Sequence, residues 1–256
     1  MKQSEIFAVL CEYAPIELSE AMVKAEDGYD NSGIIIETPK DVKKILFSLD
    51  LSAECAEYAV KNGYGLAVTH HPAIYMPVKR LDFKENPALT TCALNGIGVI
   101  SMHLNLDIAE RGIDYYLAQG LGAREQKILN VIDGRFGYGR MFEIEKTTLN
   151  EYKRYISKTF STENVMVYGG DGEIKTVASF CGAGCDMKEL DLAEGADAVV
   201  SADFKHHVIR AALDRGMKVI QMTHYASENY GMKFFAENVS GKLLGTECGY
   251  YSSKLY

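Results

Sequence analysis

Leu66-Ala67-Val68-Thr69-His70-His71-Pro72 is the stretch that decides how this chain reads. Its apolar opening, just after Gly63 and Gly65, has the look of a short strand buried on both faces, which needs no polar alternation. Upstream, Ser52 to Asn62 reads as a helix closed by Gly63, the residue that turns a helix end at least steric cost. The same unit returns twice: helix Pro87 to Asn95, Gly96 and strand Gly98 to Met102 precede His103, while helix Lys205 to Arg215, Gly216 and strand Lys218 to Met222 precede His224. Another strand, Ala198 to Ser201, follows Gly195. Repeated helix, glycine and strand predict an α/β fold with mixed, largely parallel sheets.

Working outward, Lys2 to Ala14 reads as a helix ended by Pro15, and Glu17 to Glu26 as a second helix. The turn-like Asp30-Asn31-Ser32-Gly33 leads into the strand Ile34 to Ile36, and Ile45 to Leu49 forms the next strand. Glycines crowd at Gly134-Arg135-Phe136-Gly137-Tyr138-Gly139-Arg140, ahead of a strand at Met141 to Ile144 and a helix at Leu149 to Thr159. A boundary there divides the chain into two α/β lobes, 1–134 and 135–256, with the last residues free to return to the first lobe.

Composition narrows the function classes. A chain of 256 residues that is 47% hydrophobic can bury a real core. No apolar run approaches the roughly 20 residues needed to span a bilayer. Met1 to Glu12 carries acids and lacks the basic-then-apolar pattern of an export signal, so a cytoplasmic protein is expected. The formal charge of −8 argues against a nonspecific nucleic-acid surface, which wants a basic patch. Six cysteines are too sparse for a disulfide framework. Cys181 and Cys185, flanking Gly182-Ala183-Gly184, read as buried thiols in a glycine turn rather than as a redox couple.

The chemistry-bearing residues gather at strand ends. Of the six histidines, His70, His71, His103 and His224 directly follow strands, and His206 and His207 lie just beyond one. Open parallel sheets place ligand sites outside the carboxyl ends of their strands. His103 with Asp107, and His224 with Glu228, stand four apart, a spacing that puts both side chains on one helix face. Imidazole plus carboxylate suits Zn, Mn, Fe or Ni, and not a structural zinc site, which prefers thiolates. Each feature alone has an ordinary explanation, such as a loop histidine or a surface ion pair worth a few tenths of a kcal/mol. Their recurrence at equivalent places in repeated units favours a metal centre, and a carboxylate able to bridge two cations makes a pair of ions reasonable.

Taken together, these segments resemble the NGG-interacting-factor-three-like family of dinuclear metal-centre proteins, whose members also carry the name GTP cyclohydrolase I type 2 homologue. The resemblance runs through Asp30-Asn31-Ser32-Gly33, Thr69-His70-His71-Pro72-Ala73-Ile74-Tyr75, Ser101-Met102-His103-Leu104-Asn105-Leu106-Asp107, Gly137-Tyr138-Gly139-Arg140, Cys181-Gly182-Ala183-Gly184, Ala202-Asp203-Phe204-Lys205-His206-His207 and His224-Tyr225-Ala226-Ser227-Glu228. It implies that His70 and Asp107 hold one divalent ion, that His71 and His224 hold a second, and that Glu228 bridges them. His103 matches a position beside the site, and His207 a family histidine after Asp-x-Lys. Leu104, Tyr29 and His206 depart from the threonine, tryptophan and tyrosine common at those places; none is an implied ligand. The resemblance further implies metals in the cleft between two lobes and a toroidal homohexamer. At this length the chain has no room for the domain that some members insert.

Two adjacent divalent ions suit hydrolysis by a bridging hydroxide, with a phosphoester, a nucleotide ring or an amide as substrate. Glu228, His103 and His207 are the candidate catalytic groups, the two imidazoles for proton transfer or for orienting the ligands. A nonenzymatic, ring-shaped metal-binding scaffold or regulator of a protein or nucleic-acid partner is the alternative. Thr69, where Asp would precede the paired histidines, weakens a phosphoesterase of the Asp-His-His type. No Lys-Ser/Thr follows the glycines at 134–139, so a nucleotide-triphosphate loop is absent.

Overall fold

A computed structural model describes residues 1–253. In chain order the elements are α1 (Gln3–Tyr13), α2 (Glu17–Glu26), β1 (Gly33–Ile36), β2 (Lys44–Ser48), α3 (Ala53–Lys61), β3 (Leu66–Thr69), α4 (Pro87–Asn95), β4 (Gly98–Ser101) and α5 (Leu104–Asp107). There follow α6 (Ile113–Gly120), β5 (Lys127–Asp133), β6 (Phe136–Thr148), α7 (Leu149–Thr159), β7 (Met166–Tyr168), β8 (Glu173–Ser179) and α8 (Met187–Leu192). The last are β9 (Ala198–Ala202), α9 (His206–Asp214), β10 (Lys218–Met222), α10 (His224–Ser240) and β11 (Glu247–Tyr251). Among the described residues no helix is long and apolar enough to cross a membrane.

Two compact units emerge: Met1–Ala109 together with the described residues from Met232 onward, and Glu110–Gly231. The structure therefore divides the chain elsewhere than at residue 135. Gly134 and Arg135 form the turn of the β5–β6 hairpin, with Gly134 at φ +54°. The glycine density there marks a tight turn inside one unit, and turns and linkers share that composition. Helix α10 supplies its residues through Gly231 to the second unit and those from Met232 to the first.

The first unit holds a sheet in the order β1-β4-β3-β2-β11. β4, β3, β2 and β11 run parallel, and β1 closes one edge antiparallel to β4. The second unit holds the order β5-β6-β8-β9-β10-β7. Only β8, β9 and β10 are mutually parallel; the pairs β5–β6, β6–β8 and β10–β7 are antiparallel. This sheet is mixed, with three antiparallel pairs and two parallel ones. The β5–β6 hairpin accounts for one of the antiparallel pairs, because so short a connection can join only antiparallel strands.

Local sequence explains the elements that carry the site. Ser52 caps α3 by accepting a hydrogen bond from the Cys55 amide at 3.1 Å, a cap worth about 1 kcal/mol. Gly96 ends α4 in the left-handed conformation at φ +67°. The small side chains Cys55, Ala56, Ala59, Ala88 and Cys92 pack against Leu46, Ala67 and Val99 of the sheet. Every residue of β3 and β4 is buried, so the register is fixed and His70, His71 and His103 must emerge just past the strand ends. In the second unit, α7 starts on the reciprocal cap of Thr148 and Glu151 and buries Leu149, Tyr152 and Ile156, a helical spacing that gives it one apolar face.

Candidate metal centre

In the first unit three imidazoles converge. His70, His71 and His103 each offer a ring nitrogen within 4.8 Å of the others. The ring centroids of His71 and His103 lie 5.0 and 5.3 Å from that of His70. Each ring is fixed through Nδ1: His70 to the Met102 carbonyl at 2.8 Å, His71 to Asp50 Oδ1 at 2.6 Å and His103 to Asp30 Oδ1 at 2.7 Å. A carbonyl oxygen can only accept, so Nδ1 of His70 carries a proton, and in the neutral form of the ring Nε2 carries a lone pair. That Nε2 faces Asp107 Oδ1 at 3.4 Å, with the His70 ring wholly buried. The separation exceeds an ordinary N–H···O bond. Lone pair opposite carboxylate, out of water, is an arrangement that a cation stabilises, so the donor set fits a divalent metal ion.

Helix α5 explains the meeting. His103 is its N-cap, and Asp107 lies one turn later on the same side. His103 itself rests on Asp30, whose side chain is only 1% exposed. Asp30 also accepts hydrogen bonds from the hydroxyls of Ser19 at 2.5 Å and Ser32 at 2.6 Å. Burial alone would push its carboxyl up, but the bonds from His103, Ser19 and Ser32 outweigh it and bring the pKa to about 2.

In the second unit His224 opens α10 directly after β10, and Glu228 follows one turn on. Nε2 of His224 lies 3.1 Å from Glu228 Oε2, and its Nδ1 lies 2.6 Å from Asp203 Oδ2. Glu228 is 4% exposed. Gly182 makes room for that carboxylate: a Cβ there would overlap Glu228 Oε1 and come 3.2 Å from the His224 ring. The turn around it is held from several sides. The Gly182 amide donates to Ser227 Oγ at 3.1 Å, and its carbonyl accepts from Ser201 Oγ at 3.0 Å. One residue back, the Cys181 amide donates to Asp114 Oδ1 at 3.2 Å, and the other Asp114 oxygen pairs with the buried Arg140 at 3.2 Å. Cys181 and Cys185 are buried thiols, and burial pushes that of Cys185 well up.

His207 has a different setting. It lies in the first turn of α9, 62% exposed, with Nε2 3.6 Å from Asp186 Oδ1. Lys205 pairs with the same carboxylate. Exposed pairs of this kind contribute about 0–1 kcal/mol. A separate open cleft of about 1200 Å³ in the second unit is lined by Arg124, Lys127, Glu143, Tyr152 and Tyr155, and by none of the candidate ligands.

Asp30, Asp50, Asp114, Arg140 and Asp203 were not singled out from sequence as site residues. Asp50 and Asp203 stand one or two residues beyond strands, the same positional signal that marked the histidines. Asp203 also takes φ +48°, a left-handed backbone uncommon outside glycine and mostly seen in Asn and Asp.

An α/β protein of two units, whose strand ends present imidazole and carboxylate pairs suited to divalent cations, is the class that fold and side chains define. The chain belongs to the DUF34/NIF3 (NGG1p interacting factor 3) family, whose model matches residues 1–253. A GTP cyclohydrolase 1 type 2 homolog from Methanocaldococcus jannaschii is 31% identical over 249 residues, covering 95% of this chain and 96% of the relative. One of the same name from Clostridium perfringens is 27% identical over 235 residues, covering 89% and 87%. Among solved structures, reduced HcgD from Methanocaldococcus jannaschii matches with a TM-score of 0.81 at 27% identity, covering 99% of this chain and 98% of that one. A hypothetical protein from Staphylococcus aureus matches with a TM-score of 0.87 at 23% identity, covering 100% and 97%, a likeness of fold.

Proposed function

We propose that His70, His71, Asp107, His224 and Glu228 together hold two divalent metal ions, and that the protein is a metal-dependent hydrolase of a small-molecule or nucleotide substrate. The observation that carries this reading is the buried His70 ring, with Nδ1 tied to a backbone carbonyl and Nε2 turned to Asp107. Two such ions would supply Lewis acidity suited to activating a water and to offsetting charge on a phosphoryl, ring or acyl oxygen. The protein would contribute fixed ligands, among them the carboxylate of Glu228, whose burial limits its freedom. His103 and His207 are the imidazoles left for proton transfer. A buried carboxylate backs His103, whereas His207 is backed at the surface, so loss of His103 is expected to cost more activity. The names of the relatives favour a nucleotide ring or phosphoester as substrate. By the same resemblance we propose a homohexamer, which light scattering tests: a mass of six chains supports it and a monomer overturns it.

The test is reconstitution with Zn, Mn or Fe, then a screen against GTP, cyclic and linear phosphoesters and dipeptides. Turnover that disappears in Glu228→Gln supports the hydrolase reading. Stoichiometric metal without turnover on any substrate replaces it with the scaffold reading. Fewer than one ion per chain after full reconstitution overturns the metal centre itself.

A further inference from the structure

The two units share a device that the ligand set does not include. In the first unit β2 and β3 are parallel neighbours, with Ser48 opposite Thr69 at their last paired position. Two residues past each end stand Asp50 and His71, joined at 2.6 Å through Nδ1. In the second unit β9 and β10 are parallel neighbours, with Ala202 opposite Met222. Just past those ends stand Asp203 and His224, again joined at 2.6 Å through Nδ1. In each case one strand supplies the carboxylate and the next supplies the imidazole. Local backbone holds each carboxylate in place: Ser48 Oγ donates to the Asp50 carbonyl at 2.9 Å, and Asp203 adopts its left-handed φ of +48°.

We infer that Asp50 and Asp203 are positioning residues that keep His71 and His224 protonated on Nδ1, so that each ring presents an Nε2 lone pair to a divalent cation. The inference rests on the proposed metal centre for its purpose, but the pairing stands on geometry within each unit. A neutral imidazole carries one proton, and a carboxylate fixed against Nδ1 favours that nitrogen; for His224 the Asp203 contact, at 2.6 Å, is shorter than the Glu228 contact at Nε2, 3.1 Å. It also restricts rotation of the ring and raises the basicity of the far nitrogen. His70 reaches the same state through the neutral Met102 carbonyl, in a place where a second buried charge would be costly. His71 and His224 are 25% and 36% exposed. A charged partner is tolerable there, and without one the ring would be free to turn toward water.

The experiment uses the full-length chain, with long-range proton–nitrogen NMR of the metal-free protein and zinc affinity measured by chelator competition. In wild type, His71 and His224 are expected protonated on Nδ1. Asp50→Ala should shift His71, and Asp203→Ala should shift His224, toward the Nε2-protonated form. Each should weaken zinc binding by roughly 10–100-fold. Asp50→Asn, which keeps an oxygen acceptor, should recover most of the loss. The Asp50 and Asp203 side chains are 47% and 55% exposed, so a retained cooperative melt of the metal-free variants serves as the folding control, with a modest loss expected for Asp203→Ala from its left-handed backbone. Nε2-protonated rings in wild type, or full zinc affinity in both alanine variants, would overturn the inference. Correct tautomers in a wild type that takes up no zinc would support the pairing and remove the metal reading alone.

Discussion

Replacing Gly182 by alanine tests the second unit's half of the site through a single methyl group. Gly182 sits at φ +55°, and its missing Cβ leaves the space that Glu228 Oε1 occupies. A left-handed alanine costs about 1–2 kcal/mol, and a methyl forced into filled space about 1–3 kcal/mol more. The backbone cannot retreat easily, because Ser227 and Ser201 grip the Gly182 amide and carbonyl. The expected loss is therefore about 2–5 kcal/mol, a fall of roughly 5–15 °C in melting temperature for a chain of this size. Glu228 is the softer partner and would be displaced, so zinc affinity should fall about tenfold or more. Gly195→Ala is the matched control: φ is +90° with nothing within 4 Å of the added Cβ. It should show the backbone cost without the loss of zinc. Calorimetry and chelator competition on both variants decide the matter. Gly182→Ala with the stability and zinc affinity of the control would refute the claim that this glycine exists to admit the carboxylate.

Other expectations concern stability. The folded pKa of Asp30, about 2, lies below its unfolded value near 3.9. Its contribution of roughly 2 kcal/mol is thus present above about pH 4 and is lost as pH falls toward 2. Urea unfolding should find the gap between wild type and Asp30→Asn wide at neutral pH and shrinking over that window; a constant gap would contradict the assignment. Arg140→Met strands Asp114, which is wholly buried, and should cost about 3–5 kcal/mol, with Asp114→Asn added to it restoring part of the loss. If the double variant is the less stable, the ion pair is not the cause. Tyr152 donates its hydroxyl to the Leu121 carbonyl at 2.7 Å in a buried setting. Tyr152→Phe should destabilise by about 0.5–1.5 kcal/mol, and a neutral result in equilibrium unfolding would show that this bond is dispensable.

The strand ends were legible because β3, β4, β9 and β10 are short apolar runs punctuated by glycine. Helices α4 and α7 and strand β10 occur with the bounds read from sequence. What escaped were elements without such an apolar run. β8 mixes charged and apolar residues, and β11 (Glu-Cys-Gly-Tyr-Tyr) gains its place only by pairing with β2, a tertiary fact. The expected boundary went to Gly134 because hairpin and linker share a composition. Histidine is rare in this chain and stood out at once. Aspartate is common, so the roles of Asp30, Asp50 and Asp203 emerged only when the fold put each against a ring nitrogen.

That late pairing of β11 bears on how the protein is made. Lys44 to Ser48 finds its partner in Glu247 to Tyr251, so the sheet begun by the first hundred or so residues acquires its edge strand only after the whole of Glu110–Gly231 has been made. The unit formed by Glu110–Gly231 is continuous and can fold as it leaves the ribosome, ahead of the unit that precedes it in the message. Until β11 arrives, β2 offers an unpaired edge bearing Ile45, Leu46 and Phe47, all wholly buried in the finished fold. An apolar strand edge of that kind templates association with other chains. A chain stopped before Glu247 is accordingly expected to be recovered in aggregates, although every candidate metal ligand would be present in it.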